Sequence, residues 1–148
     1  MSQQGQAPAA PTPPGHKKPS DIIRSYMLRQ TGDPKQADQA VVYLANLVQQ
    51  KKARMIQFGN TVFWANQAAP GVLEVHIFTE EAPQTLVKRL PEAAKWAKER
   101  GFKKIFSDIN DPGTMELVKM SKLPFKVSQT TMRTPKGSVP AYRLEMDL

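Results

Sequence analysis

The 148-residue chain has no cysteine and only two histidines, His16 and His76. Disulfides, thiolate catalysis and cysteine-ligated zinc are therefore excluded, and two histidines are too few for a histidine-rich metal site, so no metal is expected. Long apolar runs are missing too. No stretch approaches the roughly 18–20 residues that cross a bilayer, and the N-terminus lacks the charged-then-apolar order of a secretory signal. The expectation is a soluble protein, intracellular at synthesis, with no transmembrane segment.

Large apolar side chains are scarcest at the start. The first twenty residues, MSQQGQAPAAPTPPGHKKPS, hold five prolines and two glycines, with Met1 as the single large apolar residue. Such a segment cannot bury enough surface to offset the entropy of ordering. It reads as a disordered Pro-rich arm over residues 1–20, either a solvated tail or a docking tether ending in His16, Lys17 and Lys18. One domain is expected over residues 21–148.

Within that domain the punctuation is legible. Ile22, Ile23, Tyr26 and Met27 fit helical spacing better than a strand. Asp33 before Pro34 makes a helix start, and Ala37, Ala40, Val41, Leu44, Leu47 and Val48 form one apolar stripe that runs to about Gln50. Gly59-Asn60 between Arg54–Phe58 and Thr61–Asn66 reads as a tight hairpin. Ala69-Pro70-Gly71 then turns the chain into a strand, Val72–Thr79.

A helix opens at Pro83 and buries Leu86, Val87, Leu90, Ala93, Ala94 and Ala97 before Gly101, with Pro91 an expected kink. Lys103–Asp108 is the next strand, and its helical connection to Val72–Thr79 implies parallel pairing. Asp111 and Pro112 begin a short helix that Pro124 stops. Phe125–Arg133 and Val139–Met146 flank Thr134-Pro135-Lys136-Gly137 as a closing hairpin. The fold class expected is α/β, a mixed central sheet with flanking helices.

The formal net charge is +8 and the pI about 9.8, as for an electrostatic binder of nucleic acid. The excess is concentrated between Gln84 and Lys104, where Lys88, Arg89, Lys95, Lys98, Arg100, Lys103 and Lys104 stand against Glu92 and Glu99. Two readings stay open: a solvated face with favourable charges at a helix C-terminus, or a surface for DNA, anionic lipid headgroups or an acidic protein. Phe63, Trp64 and Phe78 alternate like sheet-core residues, so any DNA contact is expected through phosphates, without sequence readout.

The element order, together with NDPGTMELVKMSKLPF and its Asn110 and Phe125, resembles the GNAT acyl-CoA N-acyltransferase fold. It also resembles the small GNAT-like virion proteins of bacteriophages. The resemblance implies acetyl-CoA as cofactor if the chain is an enzyme, held at its pyrophosphate by a glycine-rich turn before the central helix. In this chain that turn is Thr79-Glu80-Glu81-Ala82-Pro83-Gln84, with two carboxylates, a proline and no glycine. The family's tyrosine general acid is replaced by Met120, and Pro124 stands where a glycine precedes the terminal phenylalanine.

Glu74 and His76 are the remaining candidates for a general base, beside the alternative that both are ordinary strand residues. Two functions follow. One is a non-catalytic structural or DNA-packaging protein without cofactor, in the host cytoplasm or a phage virion. It would bind virion proteins or DNA through the basic helix, Lys17 and Lys18. The other is an acetyl-CoA-dependent N-acetyltransferase with an atypical loop.

Overall fold

The computed structural model describes residues 17–110, 112–134 and 137–148. Four helices and six strands follow in the order α1 (Pro19–Thr31), α2 (Pro34–Gln49), β1 (Arg54–Phe58), β2 (Thr61–Ala69), β3 (Val72–Thr79), α3 (Pro83–Glu99), β4 (Lys104–Ile109), α4 (Pro112–Ser121), β5 (Lys126–Thr134) and β6 (Gly137–Asp147). The strands form one mixed sheet in the order β1-β2-β3-β4-β6-β5. The fold is mixed α/β. The arm through His16, Asp111, and the Pro135-Lys136 turn lie outside the described residues.

The described residues cluster into two units, one reaching Asn66 and including Ile77–Ala82, the other made of Gln67–His76 with Pro83–Leu148. In the first, α1 starts at Pro19, two residues earlier than the expected domain start, and ends at Gly32, whose φ of 70° lets its N–H reach the Leu28 carbonyl. Asp33 then caps α2 by accepting the Lys35 N–H at 2.9 Å. At the far end Lys51 takes φ 61°. This sends the Lys52 N–H back to Leu47 O and its own N–H to Val48 O, closing the helix without a glycine.

The core of this unit is Ile22, Ile23, Ala53, Val62, Trp64 and Phe78, with Tyr26, Met27 and the α2 stripe Val41, Leu44, Leu47 and Val48 packed against it. Tyr26 meets Phe78 edge to face at 5.4 Å. Trp64 donates its indole N–H to Leu44 O. Phe63, Trp64 and Phe78 are all buried, but burial does not alternate along β2, which is buried on both faces from Thr61 to Ala65. The Gly59-Asn60 hairpin closes on the Phe58↔Thr61 pair, and its left-handed angle, φ 60°, falls on Gly59. The second strand of this hairpin runs on to Ala69, three residues past its expected end.

In the second unit, β3 and β4 pair in parallel at Val72↔Lys104, Leu73↔Ile105 and Glu74↔Phe106. β4 pairs with β6 through six positions and β6 with β5 through nine, all antiparallel. Paired residues share a sheet face. Leu73, Ile105, Leu144 and Met146 are buried on one face, and Leu86, Leu90, Ala94, Ala97 and Val118 of α3 and α4 complete the buried apolar set. Pro91 sits inside α3, exposed, and the helix continues through it to Glu99.

Candidate functional site

Two places carry polar groups in an arrangement that chemistry could use. The first is the segment after β3, where the resemblance locates a phosphate-binding turn. Here the Glu80 N–H donates to Asn60 O at 3.1 Å, and the Glu81 N–H donates to Thr79 Oγ1 at 2.9 Å. Thr61 Oγ1 lies 2.6 Å from both Thr79 Oγ1 and Glu81 Oε1. A carboxylate only accepts, so the Thr61 proton goes to Glu81 and the Thr79 proton to Thr61. Arg29 holds the Thr79 carbonyl at 2.7 Å.

This hydrogen-bonded cluster is closed on itself. The first two amides of the turn are spent on protein acceptors, and Pro83 has no N–H to offer. The Glu80 carboxylate takes the Lys17 ammonium at 2.9 Å through Oε1, while its Oε2 is buried with no donor among the described residues. Lys17 is tied down further, its N–H on Asn60 Oδ1 and its carbonyl accepting from Gln57 Nε2. A pyrophosphate entering here would meet two carboxylates in place of free amides.

The second place is the sheet face of the other unit opposite the apolar one. Registers put Glu74, Phe106, Glu145 and Lys126 in one row, Val72, Lys104 and Asp147 in the row before, and Asp108, Arg143 and Ser128 in the row after. His76 is two residues beyond Glu74 on the same face, and its Nε2 lies 3.5 Å from Glu74 Oε2. The parallel pairing ends at Glu74↔Phe106, so His76 stands past the last rung.

Arg143 anchors the row beside it. Its Nε and Nη2 reach Asp108 Oδ1 and Oδ2 at 2.8 and 3.0 Å, and its guanidinium covers the Phe106 ring at 4.4 Å. The Asp108 hydrogen bond raises the Arg143 pKa; burial opposes it, and the Coulomb attraction of Asp108, Glu145 and Glu74 adds to the rise. Lys104 reaches Glu145 at 3.3 Å and Asp147 at 4.0 Å. A recess of about 310 Å³ opens at that end, lined by Lys104, Pro124, Lys126, Glu145, Met146 and Asp147, away from His76.

Of the sequence-derived candidates, Glu74 and His76 are brought together. The basic cluster divides. Arg89 pairs with Glu92 at 3.4 Å, Arg100 stacks on Trp96 at 4.6 Å, and Lys104 is held by Glu145 and Asp147. Lys88, Lys95, Lys98 and Lys103 are exposed. Lys88 and Lys95, seven residues apart, share one stripe of α3 with Lys98 beside it, while Arg89 lies about 100° round the helix. Lys18 is exposed and Lys17 is committed to Glu80.

Asp108, Arg143 and Phe106 escaped sequence reasoning. The signal was a register between strands 35 residues apart, which no local motif carries. Among the described residues no group of three or more His, Asp or Glu could hold a metal ion, and no helix is long and apolar enough to cross a membrane. Met120 is exposed, and its thioether has no proton to give.

No protein-family model and no curated protein matches the chain. Solved structures do. An aminoglycoside 6′-acetyltransferase of type Ii is similar with a TM-score of 0.61 at 15% identity, over 86% of this chain and 88% of that one. An N-acetyltransferase from Staphylococcus aureus gives 0.59 at 12% identity, over 89% and 95%. An IAA acetyltransferase from Bacillus cereus gives 0.54 at 18% identity, over 88% and 96%. At such identities the likeness establishes the fold, and the fold is that of the GNAT superfamily.

Proposed function

We infer that the chain is a non-catalytic GNAT-fold binding protein that meets an anionic partner through the lysine stripe of α3. One observation carries the non-catalytic part: the Glu80 and Glu81 amides are consumed by Asn60 and Thr79, in a turn whose next proline supplies none. Glycine and free N–H groups are what an anion requires of such a turn. Carboxylates there add repulsion on the order of 1 kcal/mol or more per charge when partly shielded from water.

The exposed Lys88, Lys95, Lys98 and Lys103 support the binding part, because among the described residues they lack the carboxylate partners that hold Arg89 and Lys104. Duplex DNA read through its phosphates is the partner of matching chemistry. A structural place in a bacteriophage particle belongs to this reading, supported by the sequence resemblance alone.

A second reading, an acetyl-CoA-dependent N-acetyltransferase, is favoured by the Glu74–His76 pair at 3.5 Å. An imidazole oriented by a carboxylate can take a proton from an amine, and solved structures of this fold include acetyltransferases. Calorimetric titration with acetyl-CoA and with short duplex DNA in the same buffer separates the two. Heat from DNA alone supports the first reading, and heat from acetyl-CoA with acetylation of an added amine supports the second.

A further inference from the structure

We propose that the β5 edge of the sheet is a homodimerisation surface, on which a second copy of this chain adds its own β5 antiparallel to the first. The inference is independent of the reading above and rests on the second unit alone. Among the described residues β5 is the terminal strand of the sheet, with β6 as its one neighbour. Its nine residues pair without a bulge, from Lys126↔Glu145 to Thr134↔Gly137. It holds no proline, and its only charges are Lys126 and Arg133 near the ends. Edge strands are commonly blunted by charge, proline, a bulge or shortness, and β5 uses none of these along its middle.

The phase of the free edge follows from one hydrogen bond. The Leu148 N–H donates to Lys103 O at 2.9 Å, so the even residues of β6 face β4 and its odd residues face β5. Pro140 agrees, an even position beyond the last β4 partner, at Ile109↔Tyr142. On β5 the even residues consequently bond β6. The N–H and C=O groups of Val127, Gln129, Thr131 and Arg133 therefore point away from the sheet, and all four residues are exposed.

A twofold axis through Thr130 satisfies all four at once. It sets Gln129 against Thr131 of the second copy and Val127 against Arg133, both as hydrogen-bonded pairs, with Ser128 facing Met132 and Lys126 facing Thr134. No like charges meet. Val127, 51% exposed, receives the aliphatic stem of the opposing Arg133. The Pro-rich arm is a poorer occupant, because Pro8, Pro11, Pro13 and Pro14 remove the N–H groups that a ladder requires.

The register makes the test specific. Sedimentation velocity on the full chain, across a wide concentration series, should show a reversible monomer–dimer equilibrium. The double variant Gln129→Lys with Thr131→Lys puts two lysine–lysine pairs across the axis and should raise the dimer dissociation constant about tenfold. Gln129→Lys with Thr131→Glu makes both pairs complementary and should lower it by a similar factor. Thr131→Pro removes an outward N–H without touching the β6 ladder and should leave a folded monomer. A wild-type chain monomeric at the highest concentration would overturn the proposal, as would Lys/Lys and Lys/Glu variants that dimerise equally.

Discussion

The Glu81 amide donates to the hydroxyl of Thr79 two residues earlier, at 2.9 Å, and the same hydroxyl lies 2.6 Å from Thr61 Oγ1. This small cycle turns a potential anion cradle into a closed polar knot. Its centre is Thr61, which is fully buried.

Thr61→Val should therefore cost about 1–3 kcal/mol, because it removes a donor from the Glu81 carboxylate and an acceptor from Thr79. In a chain of this size that is a fall in Tm of about 2–4 °C per kcal/mol. Thr61→Ser keeps the hydroxyl and should avoid most of that loss. Thermal unfolding of the two variants side by side is the check, and equal Tm values would remove the knot from the account.

The Arg143–Asp108 fork on the sheet face gives a pH prediction. The folded-state pKa of Arg143 is raised, so its contribution is fully present below the ordinary arginine range and is lost only as pH rises through the raised value. The stability difference between wild type and Arg143→Gln should accordingly stay flat from about pH 6 to about pH 10. Its size should be about 1 kcal/mol, discounted because the side chain is partly exposed. Arg143→Lys should not recover it, since an ammonium cannot fork onto both carboxylate oxygens. Denaturant titrations at several pH values would decide.

The lysine stripe predicts salt-sensitive, sequence-blind DNA binding. Each neutralised phosphate contributes about 0.9 to the slope of log affinity against log salt. Replacing Lys88, Lys95 and Lys98 by glutamine should flatten that slope with little change in stability, since exposed charges contribute little. An absence of DNA binding by the wild type even at low ionic strength would assign the charge to another partner.

Truncation now carries a sharper expectation than composition alone allowed. Removing residues 1–16 should leave Tm unchanged, whereas removal through Lys18 deletes the bonds of Lys17 to Asn60, Glu80 and Gln57. That longer deletion should lower Tm by a few degrees, on the order of 1 kcal/mol. Equal effects from the two deletions would show that Lys17 contributes nothing.

Local signals explain what was legible in the sequence. Asp33-Pro34 and Gly59-Asn60 each fix backbone angles within two residues, and the turn's carboxylates and proline are chemistry that needs no coordinates. The extension of β2 through Gln67-Ala68-Ala69 was not legible, because ladder pairing outweighed weak strand propensity. Nor was the link of Lys17 to Glu80, 63 residues away. Asp108 and Arg143 met only through register, and of the seven clustered cations Lys104 found its partners, Glu145 and Asp147, far along the chain.

Calorimetric titration of the intact wild-type chain with acetyl-CoA tests the central claim most directly. With the Glu80 and Glu81 amides engaged and their carboxylates in place, no binding tighter than about 100 μM is predicted, so a micromolar binding free energy of about −8 kcal/mol is absent. A dissociation constant in the low micromolar range would contradict the account and make Glu74 and His76 the first residues to replace.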